Sequence, residues 1–164
     1  MNNQVRAPLS LTLSLVLAVV PVMAASVIGS MATLPNIPTW YLGLIKPSFT
    51  PPNWIFGPVW TLLYAAMAFA FYRILRKPGD EGRGSVIAAF MIQIALNGAW
   101  SVVFFGLRNP LLGLIVIVPL WLTIAWTLTL FWKRDRISGG CFVPYLAWVS
   151  FAAALNLEIW RLNG

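Results

Sequence analysis

The stretch KPSFTPPNWIFGPVWTLLYAAMAFAFY, Lys46 to Tyr72, decides how the rest of the chain is read. Its first fifteen residues hold one lysine, four prolines and four large aromatics. From Trp54 to Tyr72 it then carries no charge at all. A rigid aromatic segment running into an apolar one of this length suits a helix that enters a bilayer, which needs roughly 20 apolar residues to cross.

Four other uncharged runs repeat the second half of that pattern: Leu9–Met31, Ser85–Leu107, Leu111–Trp132 and Cys141–Leu157. The runs are continuous rather than alternating, so they read as helices and not as barrel strands. Composition agrees. Of 164 residues, 60% are hydrophobic and 9% charged, with a mean hydropathy of +0.82, whereas soluble domains carry about a quarter charged residues. The expectation is an all-α integral membrane protein, one domain over residues 1–164. Its five-transmembrane-helix bundle has spans near 9–31, 54–76, 85–107, 110–132 and 140–160, and a long lid loop separates the first two. Arg6, the apolar run and Val22–Ala24 also resemble a cleavable signal, but the run continues to Met31, so retention as the first span is expected.

Charge gives an orientation. With five alternating spans, Arg6, Arg73, Arg76, Lys77, Arg83, Lys133, Arg134 and Arg136 share one side, and Lys46, Arg108 and Arg161 the other. The positive-inside rule then puts the N-terminus in the cytoplasm if the protein sits in an inner membrane. The net charge of +7 is in this reading a topology signal, and no nucleic-acid partner is expected.

Several chemistries are unsupported. The chain has no histidine and a single cysteine, Cys141, so imidazole triads, zinc clusters and disulfides are not expected, nor is any metal site or cofactor. The four acids are Asp80, Glu81, Asp135 and Glu158. The first three read as solvated loop charge, and Glu158 as the partner of Arg161 three residues on. No conventional enzyme is indicated.

A polar and aromatic row remains inside the spans. Gln93, Asn97, Trp100 and Phe104 share one face of the third, Tyr145, Trp148, Ala152 and Asn156 one face of the fifth, and Trp60, Tyr64 and Met67 one face of the second. Amides are costly against lipid, so these should face other helices or a cavity. For any one amide, helix-to-helix bonding is the plainer role. Three spans offering aromatics beside amides suit a flat, largely apolar ligand. Trp132 and Trp160 read as interfacial anchors, as does Trp40 on composition alone.

WYLGLIKPSFTPPNWIFGPVWTLLY (40–64), QIALNGAWSVVFFG (93–106) and VPYLAWVSFAAALNLEIWRLN (143–163) together resemble the translocator protein family, TspO/MBR, also called the peripheral benzodiazepine receptor, in a bacterial form. The resemblance implies a five-helix bundle, a homodimer, that binds tetrapyrroles such as protoporphyrin IX. It implies pocket residues Trp60, Asn97, Trp100, Trp148 and Ala152, with Trp40 and Tyr41 in a lid running to Asn53. Phe49 stands in the lid where the family often has tryptophan, and Tyr64, Phe104 and Tyr145 join the site from the rows above. The sterol motif of animal members needs a tyrosine where Leu157 and Glu158 stand, so sterol recognition is not implied. Three functions follow from the resemblance: a porphyrin receptor or transporter, a light-dependent porphyrin-degrading activity using Trp60 and Trp148, and a regulatory membrane scaffold. Spaced small residues on the third span, Ser85 with Ala89 and Ala95 with Ala99, mark an expected dimer face.

Overall fold

The computed structural model describes residues 7–79 and 82–164. Arg6, Asp80 and Glu81 lie outside the described residues. Five helices are long and apolar enough to cross a membrane. Helix α1 is Leu11–Thr33, α2 Phe56–Leu75, α3 Arg83–Ser101, α4 Pro110–Arg134 and α5 Arg136–Asn163. The chain is therefore a five-helix membrane bundle, as its apolar runs predict.

The element ends differ from expectation at two places. Short turns extend α1 as far as Tyr41, a 3₁₀ turn at Leu34–Asn36 followed by a π turn at Ile37–Tyr41. Pro35 and Pro38 each fall at the start of one of these turns, where a missing N–H costs least. The connection to α2 shortens accordingly, to residues 42–52, and a 3₁₀ turn at Asn53–Ile55 leads into α2. At the other end of the chain α5 begins four residues before the expected span, at Arg136. Asp135 is the reason. Its carboxylate accepts from the Ser138 backbone N–H at 3.2 Å and from the Ser138 hydroxyl at 2.6 Å, satisfying donors that the first turn leaves open.

Asp135 is also the clearest correction to the charge reading. It is not solvated: its side chain keeps only 9% of its exposure and pairs with Arg73 at 2.8 Å and Lys77 at 3.3 Å. The cluster ties the end of α2 to the start of α5. Glu158 accepts from Arg161 at 2.8 Å, the contact their spacing predicts.

Principal contacts run α1–α2, α2–α5, α5–α4, α4–α3 and α3–α1, which closes a ring of five. The turn between α4 and α5 is one residue long, and its helices meet closely at Gly139. A β-carbon there would lie 2.7 Å from the Trp132 α-carbon, so only glycine fits.

One half of the ring is filled. Phe71, Phe90, Phe131 and Phe142 are fully buried near the end that carries Arg73, Lys77 and Asp135. Phe71 and Phe90 stack at 3.8 Å, and Phe131 meets Phe142 edge-on at 5.0 Å. Large apolar side chains cover the outside of all five helices, from Val20 and Leu62 to Val118 and Val143, as a hydrocarbon solvent requires. On α3 the expected small-residue face divides. Ser85 and Ala95 are exposed, but Ala89 is fully buried inside the bundle and offers nothing to a second copy.

Candidate functional site

The other half of the ring is hollow. A cavity of about 390 Å³ lies between α1, α2, α3 and α5. Helix α1 supplies Ser26, Gly29, Ser30 and Thr33; α2 supplies Gly57, Trp60, Thr61 and Tyr64. Trp100 and Ser101 come from α3 and Phe104 and Phe105 from the π turn that prolongs it, Val102–Gly106. Trp148, Ala152, Leu155, Asn156 and Ile159 come from α5. Tyr41 lies at the far end, beneath the loop, and Leu34, Ile37, Asn53, Trp54 and Phe56 complete the lining. Among the described residues no charged side chain lines the cavity.

Helical spacing explains the wall. Trp60 and Tyr64, like Trp148 and Ala152, are four apart and share a face. The π turn advances the backbone beyond an α-helical step, and both Phe104 and Phe105 reach the lining. Trp100 and Phe104 stack at 5.2 Å, Trp60 leans over Tyr64 at 5.4 Å, and Trp148 meets Phe56 edge-on at 5.7 Å.

Two amides set this aromatic wall in place. The Tyr64 hydroxyl donates to Asn97 Oδ1 at 2.7 Å, and Asn97 Nδ2 donates to the Tyr145 hydroxyl at 3.0 Å. Asn97 and Tyr145 are buried and neither belongs to the lining, so both stand behind the cavity surface rather than on it. Asn156 Oδ1 accepts from the Trp100 indole N–H at 3.2 Å, while its Nδ2 donates to the Pro110 carbonyl at 2.8 Å. Gly113 makes room for this joint: a β-carbon there would meet Asn156 Oδ1 at 2.7 Å and Phe104 at 2.9 Å. Gln93, one turn before Asn97, lies deeper, with Nε2 at 4.0 Å from Met67 Sδ and Oε1 without a partner among the described residues.

Of the residues singled out in the sequence, Tyr41, Trp60, Tyr64, Trp100, Phe104, Trp148, Ala152 and Asn156 line this cavity. Asn97 and Tyr145 support it from behind. Trp40 and Phe49 lie outside the lining: Trp40 packs on Phe104 at 5.5 Å and Phe49 on Phe151 at 6.1 Å. Of the expected lid, Trp40 to Asn53, the two ends meet the cavity through Tyr41 and Asn53. Residues 42–52 line none of the cavity. The loop is fastened instead to the end of α5, where Asn163 exchanges two hydrogen bonds with the backbone of Ile45, each 2.9 Å. It closes the far end indirectly, because Lys46 sits 4.8 Å above the ring of Tyr41, and Tyr41 is the lining residue.

The α1 wall was missed in the sequence. Ser26, Gly29, Ser30 and Thr33 recur at i, i+3, i+4 and i+7, a small and mostly polar row within an apolar span, and that spacing was the available signal. Chemically, the cavity offers stacking faces, indole and hydroxyl donors, and neutral amide support. Among the described residues no group of three metal-binding side chains occurs.

The sequence model of the TspO/MBR family matches residues 17–161, from within α1 to near the end of α5. The chain is similar to the Tryptophan-rich protein TspO of Archaeoglobus fulgidus, 42% identical over 151 residues, which cover 92% of this chain and 97% of that one. It is similar to Protein CrtK of Rhodobacter capsulatus, 40% identical over 152 residues covering 92% and 95%. Similarity to the Translocator protein of Homo sapiens is 36% over 126 residues, 76% of this chain and 75% of that one. With the family match spanning all five helices, the chain belongs to the TspO/MBR family.

Proposed function

We propose that the cavity binds a flat, largely apolar tetrapyrrole, such as protoporphyrin IX, and that the protein is a membrane receptor or carrier for it. One observation carries the reading: the indoles of Trp60, Trp100 and Trp148, from three different helices, converge on a cavity that no charged side chain lines among the described residues. Its volume lies in the range of about 300–1,000 Å³ usual for ligand sites. Stacking contacts are each worth roughly 0.5–1.5 kcal/mol beyond area burial, so several together support micromolar affinity.

Ala152 supplies the test, because it lines the cavity beside Trp148 and is small. Tryptophan-quenching titration of the purified protein with metal-free protoporphyrin, in the dark, should give saturable micromolar binding. Ala152→Phe, which fills space without removing an aromatic, should weaken it at least tenfold. Equal affinity in the variant would place the ligand elsewhere.

A second reading is favoured by the surroundings of Trp60, which contacts the rings of both Tyr64 and Tyr145 at 5.4 and 6.2 Å. An indole so placed suits light-driven oxidation of a bound ring by dissolved dioxygen. The same titration under illumination separates the two: ring breakdown that Trp60→Phe abolishes, with dark affinity retained, belongs to the second.

A further inference from the structure

The cavity is not enclosed on all sides, and its exposed residues are not scattered. Leu155, Asn156, Ile159, Phe104 and Tyr41, on the α3, α5 and far-end walls, are buried, none above 6% exposed. The exposed lining residues fall on two facing segments. Ser30 and Leu34 belong to the second half of α1 and its extension; Asn53 and Trp54 belong to the turn that leads into α2, and Gly57 and Thr61 to its start. Between these segments the described residues make no hydrogen bond and no ring contact. Helices α1 and α2 are held instead at their opposite ends, where the Leu9 N–H donates to the Leu75 carbonyl and Arg76 donates to the Leu9 carbonyl at 2.6 Å. The pair is therefore tied by hydrogen bonds at one end only, and the exposed lining residues towards the other end mark the mouth of the cavity.

Depth decides what the mouth faces. The α1 span runs Leu11–Tyr41 and the α2 span Asn53–Leu75, so Ser26 and Tyr64 are their central residues. At about 1.5 Å per residue, Ser30, Thr33, Gly57 and Thr61 lie within about 11 Å of mid-depth, inside the roughly 15 Å half-thickness of the hydrocarbon. Trp54, 73% exposed, stands ten residues from Tyr64, about 15 Å out, where indoles favour the lipid interface. The far end, by contrast, is closed by Tyr41 beneath Lys46 and by the loop fastened to Asn163.

We infer that the cavity is loaded sideways from the bilayer, through the gap between α1 and α2, by an amphiphile already dissolved in the membrane. This rests on the tetrapyrrole-binding reading and adds the state in which the ligand arrives. A route within the hydrocarbon favours flat molecules with few charges, and it requires no opening of the far-end loop.

Val27 and Ala65 flank the mouth, both exposed and neither lining the cavity. Each would be changed to cysteine in a Cys141→Ala background, labelled after folding with N-(1-pyrenyl)maleimide in liposomes, and loaded with metal-free protoporphyrin from donor vesicles. A matching label at Gly43→Cys, in the far-end loop, serves as comparison. The expected result is that labels at Val27 and Ala65 slow uptake and release alike, at least tenfold, with equilibrium affinity within threefold. The Gly43 label should leave both rates within twofold. Slowing by the Gly43 label with unchanged rates at Val27 and Ala65 would overturn the lateral route, as would ready labelling of Val27→Cys by a charged, membrane-impermeant maleimide. Absence of protoporphyrin binding in the unlabelled protein would instead sink the binding reading, and the route with it.

Discussion

Asn97 looks like a binding residue in the sequence, yet its side chain is spent on two phenols. Its oxygen accepts from the Tyr64 hydroxyl and its nitrogen donates to the Tyr145 oxygen. An amide in an aromatic row can touch ligand or hold neighbours, and the row alone cannot distinguish the two because both put the residue on the inward face. Seven of the aromatic and small residues marked in the sequence do line the cavity. Side-chain type alone does not decide: the amide of Asn156 is in the lining, whereas the phenol of Tyr145 stands behind it. The consequence is measurable. Asn97→Leu leaves two largely buried hydroxyls without a partner, at about 1–3 kcal/mol each, and should lower stability in detergent accordingly. The same change in a Tyr64→Phe, Tyr145→Phe background should cost much less, since removing all partners together is close to neutral. Thermal unfolding of the four proteins gives the coupling. Additive losses would mean that Asn97 acts through something other than these phenols.

At the scale of elements, the apolar runs placed every helix but not every end. Helix α1 overran its expected limit because Pro35 and Pro38 fell in turns that tolerate them, so a stretch that looked like loop is helical to Tyr41. The α4–α5 turn was misjudged for an electrostatic reason. Among Lys133, Arg134 and Arg136, Asp135 reads as loop charge; its partner Arg73, 62 residues away, comes within reach only in the folded bundle. Hydrogen bonding from Arg73 holds the Asp135 carboxyl well below the usual carboxylate range, with Ser138 and Lys77 adding to it against the opposing effect of burial. The folded value is depressed, so the stabilisation is complete above the unfolded value of about 3.9 and is lost as the pH falls from there towards the folded value. Asp135→Asn should lower the melting temperature by a few degrees at neutral pH. Its penalty should shrink as the solution is acidified below about pH 4. A penalty that stays constant through that range would assign the role of Asp135 to helix capping, which a neutral side chain partly keeps.

For the whole molecule, the division of labour is between a filled half and a hollow half. Four packed phenylalanines and the Arg73–Asp135–Lys77 cluster secure one end. The tryptophans Trp60, Trp100 and Trp148 gather at the other, around the cavity. The ring order of the helices was not legible in the sequence, because five apolar spans of similar composition do not specify their neighbours. The faces that bear the buried amides were, since amides are placed by the cost of exposing them to lipid. The hollow half holds its ligand, on this account, by stacking and neutral hydrogen bonds and not through a metal bond. Among the groups able to ligate iron, the Tyr64 hydroxyl is engaged with Asn97, and Met67 is fully buried against Gln93. Parallel dark titrations of metal-free protoporphyrin and haem, with absorption spectra taken at each step, test this most directly. Metal-free protoporphyrin should bind at least as tightly as haem, and bound haem should show no axial ligation by the protein; a strong preference for haem with a six-coordinate spectrum would contradict the account.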